Sequence, residues 1–147
     1  LQAGGRIEDF LDRLVETREV VGNVFLNEGI NFIWQAVTGA SGLTFFNSAN
    51  SYIGVGDGTA AADPSQTGLQ GTNKYYKIVD SGYPQISGTQ IIFRATFGPN
   101  EANFSWNEWT VANGSSDAAV NLNRKVENLG TKSSGSTWVL QVTLSIS

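Results

Sequence analysis

Residues 137–147 read Thr-Trp-Val-Leu-Gln-Val-Thr-Leu-Ser-Ile-Ser. Trp138, Leu140, Val142, Leu144 and Ile146 fall on one face, and Val139, Gln141, Thr143 and Ser145 on the other. Side chains on an extended backbone point alternately to opposite faces, so this period of two predicts a half-buried antiparallel strand. The pattern recurs upstream. In residues 90–97, Ile91, Phe93, Ala95 and Phe97 share a face, with Arg94 and Thr96 opposite. Residues 104–111 give another strand, and Val120, Leu122, Arg124 and Val126 alternate along the next. Shorter runs lie at 51–56, through Tyr52, Ile53 and Val55, and at 74–80, through Tyr76 and Ile78. Turn residues separate them: Asp57-Gly58, Ser81-Gly82-Tyr83-Pro84, Ser87-Gly88, Gly98-Pro99-Asn100, Asn113-Gly114-Ser115-Ser116 and residues 130–135. Strands joined by such turns predict an antiparallel β-sandwich or barrel. No strand-helix-strand alternation follows Gly39, so a parallel sheet is not expected.

The front of the chain has a different period. Ile7, Phe10, Leu11, Leu14 and Val15 stand at i, i+3, i+4, i+7 and i+8, the stripe of an amphipathic helix. Glu8, Asp9, Asp12, Arg13 and Glu16 take the other face. Gly22 is its expected stop. After Val24-Phe25-Leu26, Asn27 is the expected N-cap of a second helix. Its stripe is Ile30, Ile33, Trp34 and Val37, expected to pack on a sheet, and Gly39 should end it. The expected organisation is therefore a helical arm at 1–22 and a mainly β domain at 23–147 with a leading helix at 27–38. The arm, through Phe10, Leu11 and Leu14, is the expected contact with a neighbouring subunit.

The composition narrows function. The 147 residues include 9 basic and 13 acidic side chains, no His and no Cys. Charged residues are 15%, against about 25% in an average domain. An acidic chain without a basic run is not expected to bind nucleic acid. Without His or Cys there is no Ser-His-Asp triad, thiolate nucleophile, disulfide or His/Cys metal site. No apolar run approaches the ~20 residues of a spanning helix, so no membrane partner is expected. Leu1-Gln2-Ala3-Gly4-Gly5 is not the pattern of a secretory signal, and a chain not starting with Met reads as a processed or trimmed product.

Gly54-Val55-Gly56-Asp57-Gly58 has the glycines of a phosphate cradle, but that chemistry needs a helix directly after them and a Lys-Ser/Thr pair. A strand running into a tight hairpin turn is expected instead, with residues 59–73 as a long surface loop. Glu101 and Glu108 could be a general acid and base, joined by Asp57, Asp63 and Asp80; solvated or salt-bridged roles are expected for them. Asp57 and Asp63 lack the carboxylate ladder of a calcium loop. Neither a cofactor nor a metal is expected. Trp106, Trp109, Tyr75, Tyr76, Tyr83 and Trp138 could form a platform for a sugar ring. Trp138 belongs to the core face. Trp106 and Trp109 fall on opposite faces of a regular strand, so one is expected in the core and the other at a subunit or ligand contact.

The order of these pieces resembles a class of tailed-bacteriophage virion proteins: capsid decoration (auxiliary head) proteins and tail-collar or fibre-base domains. The resemblance rests on the helix 27–39, then Tyr52-Ile53-Gly54-Val55-Gly56-Asp57-Gly58, then a small-residue loop ending at Leu69. It continues through Phe93-Arg94-Ala95-Thr96-Phe97, Asn100-Glu101-Ala102-Asn103, Glu108, Leu122-Asn123-Arg124 and the terminal strand. It spans residue 22 to the end. The resemblance implies a non-enzymatic structural protein on the outer surface of the virion, bound to the major capsid protein lattice and to copies of itself, with a homotrimer favoured. A tail, collar or baseplate component is the alternative within the class, and a carbohydrate-binding module with a glycan partner the alternative outside it.

Overall fold

The computed structural model describes residues 23–146. The expected helical arm, with Phe10, Leu11 and Leu14, lies outside the described residues. Strand β1 (Asn23–Phe25) leads directly into helix α1 (Asn27–Val37). Seven further strands follow: β2 (Tyr52–Gly56), β3 (Lys74–Ile78), β4 (Gln85–Ser87), β5 (Gln90–Phe97), β6 (Ser105–Ala112), β7 (Asn123–Thr131) and β8 (Trp138–Ser145). They form a five-stranded sheet in the order β1-β7-β6-β2-β3 and a three-stranded sheet in the order β4-β5-β8. Every pairing is antiparallel. The protein is mainly β, a two-sheet arrangement with a leading helix, as the alternating stretches predict.

The deciding strand behaves as its sequence dictates. β8 pairs with β5 from Gln90↔Ser145 to Phe97↔Trp138 without a slip. Val142 and Leu144 are buried, while Val139, Gln141, Thr143 and Ser145 are exposed. Register is strict because a one-residue shift would exchange these two faces. Phe93, Ala95, Phe97, Val142 and Leu144 of the small sheet meet Ile53, Val55, Trp106, Trp109 and Val111 of the large one in a single core. Trp106 lies edge-on between Phe97 (4.8 Å) and Trp138 (4.9 Å), the arrangement that ring quadrupoles favour.

The structure corrects the expectations in four places. Asn27 is the first helical residue rather than the N-cap. Leu26 takes that position, and its apolar side chain makes no cap hydrogen bond. The backbone N–H groups of Leu26 and Asn27 bond instead to the carbonyls of Leu122 and Pro64. Gly39 does end the helix, with φ +78°. Strand β7 starts at Asn123 and ends at Thr131, three residues later and five residues further on than the alternation at 120–126 implied. Polar Asn121, Asn123 and Arg124 are fully buried there, so hydrophobicity does not mark its bounds. β4 was not foreseen, because Gln85-Ile86-Ser87 is exposed throughout and carries no periodic signal. Finally, β2 and β3 pair but are joined by the long loop 57–73 and not by a tight hairpin at Asp57-Gly58.

Candidate interaction surface

The glycine motif does build an anion cradle, and the anion is the protein's own. The N–H groups of Gly58 (2.9 Å), Gln70 (2.8 Å) and Gly71 (2.8 Å) donate to the carboxylate of Glu108. Arg124 Nε donates to it at 2.8 Å, with both side chains fully buried. Arg124 Nη1 then donates to the Ala60 carbonyl and to Gln66 Oε1. A Cβ on Gly56, Gly58 or Gly71 would stand 2.3–2.8 Å from Glu108 Oε2. Glycine is required there because the carboxylate fills the space.

Two more carboxylates secure the same loop. Asp57 accepts from the N–H of Thr72 and Asn73 and from the Asn73 amide. The Asn73 amide bond, with those N–H groups, holds its carboxyl below the usual range. Asp117 accepts from Leu69 N–H, Lys74 Nζ and the Tyr76 hydroxyl. Burial pushes its carboxyl up, but these three donors outweigh that and leave it lowered. Burial, then the Asp117 bond, pushes the Tyr76 hydroxyl far up. The remaining carboxylates expected as catalytic or calcium candidates lie apart. Glu101 binds Lys77 (2.8 Å) and caps Gly98 N–H, and the Lys77 bond lowers its carboxyl. Asp80 binds Arg94 (2.9 Å) and Thr96. Asp63 bonds Ser65, which lowers its carboxyl. No group of three or more acidic ligands converges among the described residues. The Glu108–Arg124 nest was missed from sequence, although charged residues inside otherwise apolar strands were its visible signal.

Trp106 and Trp109 do not divide between core and surface. Both are buried, at 1% and 6% exposure. The expectation that one of them meets a subunit or a sugar is corrected by this burial. The reason is an irregularity in β6: between Trp106 and Glu108 its pairing with β7 jumps from Gly130 to Val126. The regular alternation fails there, and both indoles enter the core. Each indole N–H is already bonded, Trp106 to the Ala102 carbonyl and Trp109 to Glu127.

The apolar stripe of α1 is also turned outward. Gly29 and Phe32 are the buried residues. A Cβ on Gly29 would lie 2.5 Å from the Leu122 carbonyl oxygen, so the helix approaches through its smallest residue. Phe32 stacks edge-on with Phe46 at 5.0 Å. Ile30, Trp34 and Val37, expected on the sheet, are exposed at 41%, 62% and 70%.

A second open surface is the outer face of the three-stranded sheet. The register places Gln85, Ile92 and Thr143 side by side, Thr96 beside Val139, and Arg94 beside Gln141. Arg94 is the one charge on these rows. It is bonded to Asp80 and lies 4.6 Å from the centre of the Tyr83 ring. Val139 is 59% exposed on this face, and Ile86 is 80% exposed on its edge strand. Depletion of free charge around exposed apolar groups is the composition of an interface centre.

Comparison with known proteins gives no match: no family model, no curated protein and no solved structure is similar to the chain.

Proposed function

We propose that the chain is a non-enzymatic structural protein of a tailed-bacteriophage virion, a decoration protein on the outer surface of the assembled head. The resemblance of its elements supplies the class. The observation that carries the reading is the outer face of the β4-β5-β8 sheet, where Arg94, the one charge on the paired rows, is already bonded to Asp80. Such a face buries no unpaired charge on docking, and its amides and hydroxyls can bond to a partner across the seam between coat subunits. Mechanistically the protein acts as a clamp. A ligand that binds the assembled shell better than the dissociated subunits stabilises the shell by mass action. The large sheet and its clamped loop hold the docking sheet in shape. Closed symmetry lets copies reuse one patch, and we assign a homotrimer on the resemblance.

Stoichiometry tests the reading. Source particles are purified on a density gradient, and this chain is quantified against the major coat protein. A copy number equal to the coat protein's, or a simple fraction of it, supports decoration. A handful of copies moves the chain to the tail, collar or baseplate. Absence from particles overturns the virion reading.

A further inference from the structure

Each sheet ends in two edge strands, β1 and β3 on the large sheet and β4 and β8 on the small one. A sheet edge presents a row of unpaired N–H and C=O groups. Proteins guard such rows by keeping the strand short, by Lys or Pro, or by a bulge. Three of the four edges here are guarded. β1 and β4 are three residues each, and Pro84 directly precedes β4. β3 carries Lys74 and Lys77. β8 has none of these devices. It runs for eight residues without a charge or a Pro, and its register with β5 shows no bulge. Among the described residues, β5 is its only strand partner.

The backbone fixes which groups this edge offers. Ile146 N–H donates to the Thr89 carbonyl, so the even-numbered residues of β8 address β5. The N–H and C=O groups of Val139, Gln141 and Thr143 therefore point out of the free edge. Ser145 and Ile146 line a groove with Ile30, Ile33 and Trp34 of α1. The open run is then 138–144, centred on Gln141. On its core side, Trp138 and Leu140 are only half-buried. A strand that pairs here has to be uncharged, with apolar residues at every second position toward the core side. β8 itself fits that description.

We propose that β8 pairs with β8 of a second copy, antiparallel about a two-fold axis at Gln141, and joins two three-stranded sheets into one of six. The axis sets Gln141 opposite its own copy and Val139 opposite Thr143. On the core side it sets Leu140 opposite Val142 and Trp138 opposite Leu144. Apolar residues meet apolar residues there, no charge enters the pairing, and about six backbone hydrogen bonds form. A shift by one residue would set core-side residues against outer-face residues. A two-fold contact needs one self-complementary patch, and this edge is one. The contact stands apart from the virion reading, because it uses the edge of the sheet while coat docking uses its outer face. Combined with the three-fold association proposed above, it closes a hexamer, so the mass doubles with or without that association.

The test uses the full chain alone in solution, sized by analytical ultracentrifugation at high micromolar concentration. Gln141 is exposed, so substitutions there leave the fold intact. The mass of the unchanged chain should be twice that of Gln141→Lys, in which like charges face each other across the axis. Gln141→Glu should halve the mass as well, and an equimolar mixture of the two variants should restore it. An unchanged chain that is monomeric, single variants that keep the full mass, or a mixture that is not restored would each overturn the proposal. The absence of Cys gives a check on the register. Under oxidised glutathione, Gln141→Cys should form a disulfide-linked dimer, because the paired Cα atoms lie ~5.5 Å apart, within disulfide reach. Val139→Cys should not, since its two copies stand four residues apart along the strands, ~13 Å. A disulfide in both variants, or in neither, contradicts the proposed pairing.

Discussion

Replacing Glu108 by Gln tests the internal anion nest. The substitution keeps shape and volume but removes the charge that faces Arg124 Nε and three backbone N–H groups at 2.8–2.9 Å. Both members of the ion pair are fully buried. Removing one partner leaves the other as an uncompensated buried charge, which costs about 3–5 kcal/mol. The amide also turns its own N–H groups toward donors, so hydrogen bonds are lost and not weakened. Against a total stability of about 5–15 kcal/mol, that is roughly a fifth or more. For a domain of this size it lowers Tm by roughly 6–20 °C. Urea unfolding followed by tryptophan fluorescence reads the change as a fall in midpoint at constant slope. Arg124→Met should cost a similar amount alone. The double variant should cost less than the sum by at least ~1.5 kcal/mol, because the two groups share one interaction. A Glu108→Gln change below ~1 kcal/mol, or single costs that simply add, would refute the nest as the device that holds the loop.

Four further expectations follow from named contacts. Gly29→Ala should destabilise by about 1–3 kcal/mol, since the new Cβ meets the rigid Leu122 backbone at 2.5–2.9 Å; thermal melts check this. Asp57, Glu101 and Asp117 have carboxyls held below their ordinary range. Their contribution is present above about pH 4 and is lost as pH falls through the lowered values. Burial raises the Glu28 carboxyl, which works in the opposite sense for one group. With no His in the chain, the urea midpoint should be flat from about pH 6 to 7 and fall below about pH 4. Trp106→Ala should cost about 3–5 kcal/mol, because its ring fills the space between Phe97 and Trp138. Added oligosaccharides should leave the emission of Trp106 and Trp109 unchanged, since both are buried; quenching assigned to either residue by single-site replacement would contradict their burial.

Much of the fold was legible because its strands are half-buried. β5 and β8 carry unbroken alternation, and the structure pairs them over their full length. What failed shares a cause: polar groups doing interior work. Asn121, Asn123 and Arg124 are buried by bonding to other chain segments, so a hydrophobic pattern cannot mark where β7 begins. Gly56 and Gly58 make room for Glu108, which lies fifty residues from Gly58, and no local pattern joins them. For Trp106 and Trp109 the alternation rule itself misled, because it assumes a regular ladder where β6 and β7 are irregular. The α1 stripe was read correctly as apolar but assigned to the wrong neighbour. Periodicity shows that a face wants burial, not what buries it, and Gly29 gave no hydrophobic signal that it marks the packed side.

The outer face of the β4-β5-β8 sheet is the proposed docking surface for the coat lattice. Particles stripped of this chain are mixed with purified protein, either unchanged or carrying Val139→Asp with Thr143→Glu, and sedimented. Both positions are exposed, so the variant should keep its stability within about 0.5 kcal/mol. The unchanged protein should co-sediment at a fixed ratio to the coat protein, and the variant should remain in the supernatant. Equal binding by the two, or no binding by the unchanged protein, would contradict the assignment of that face.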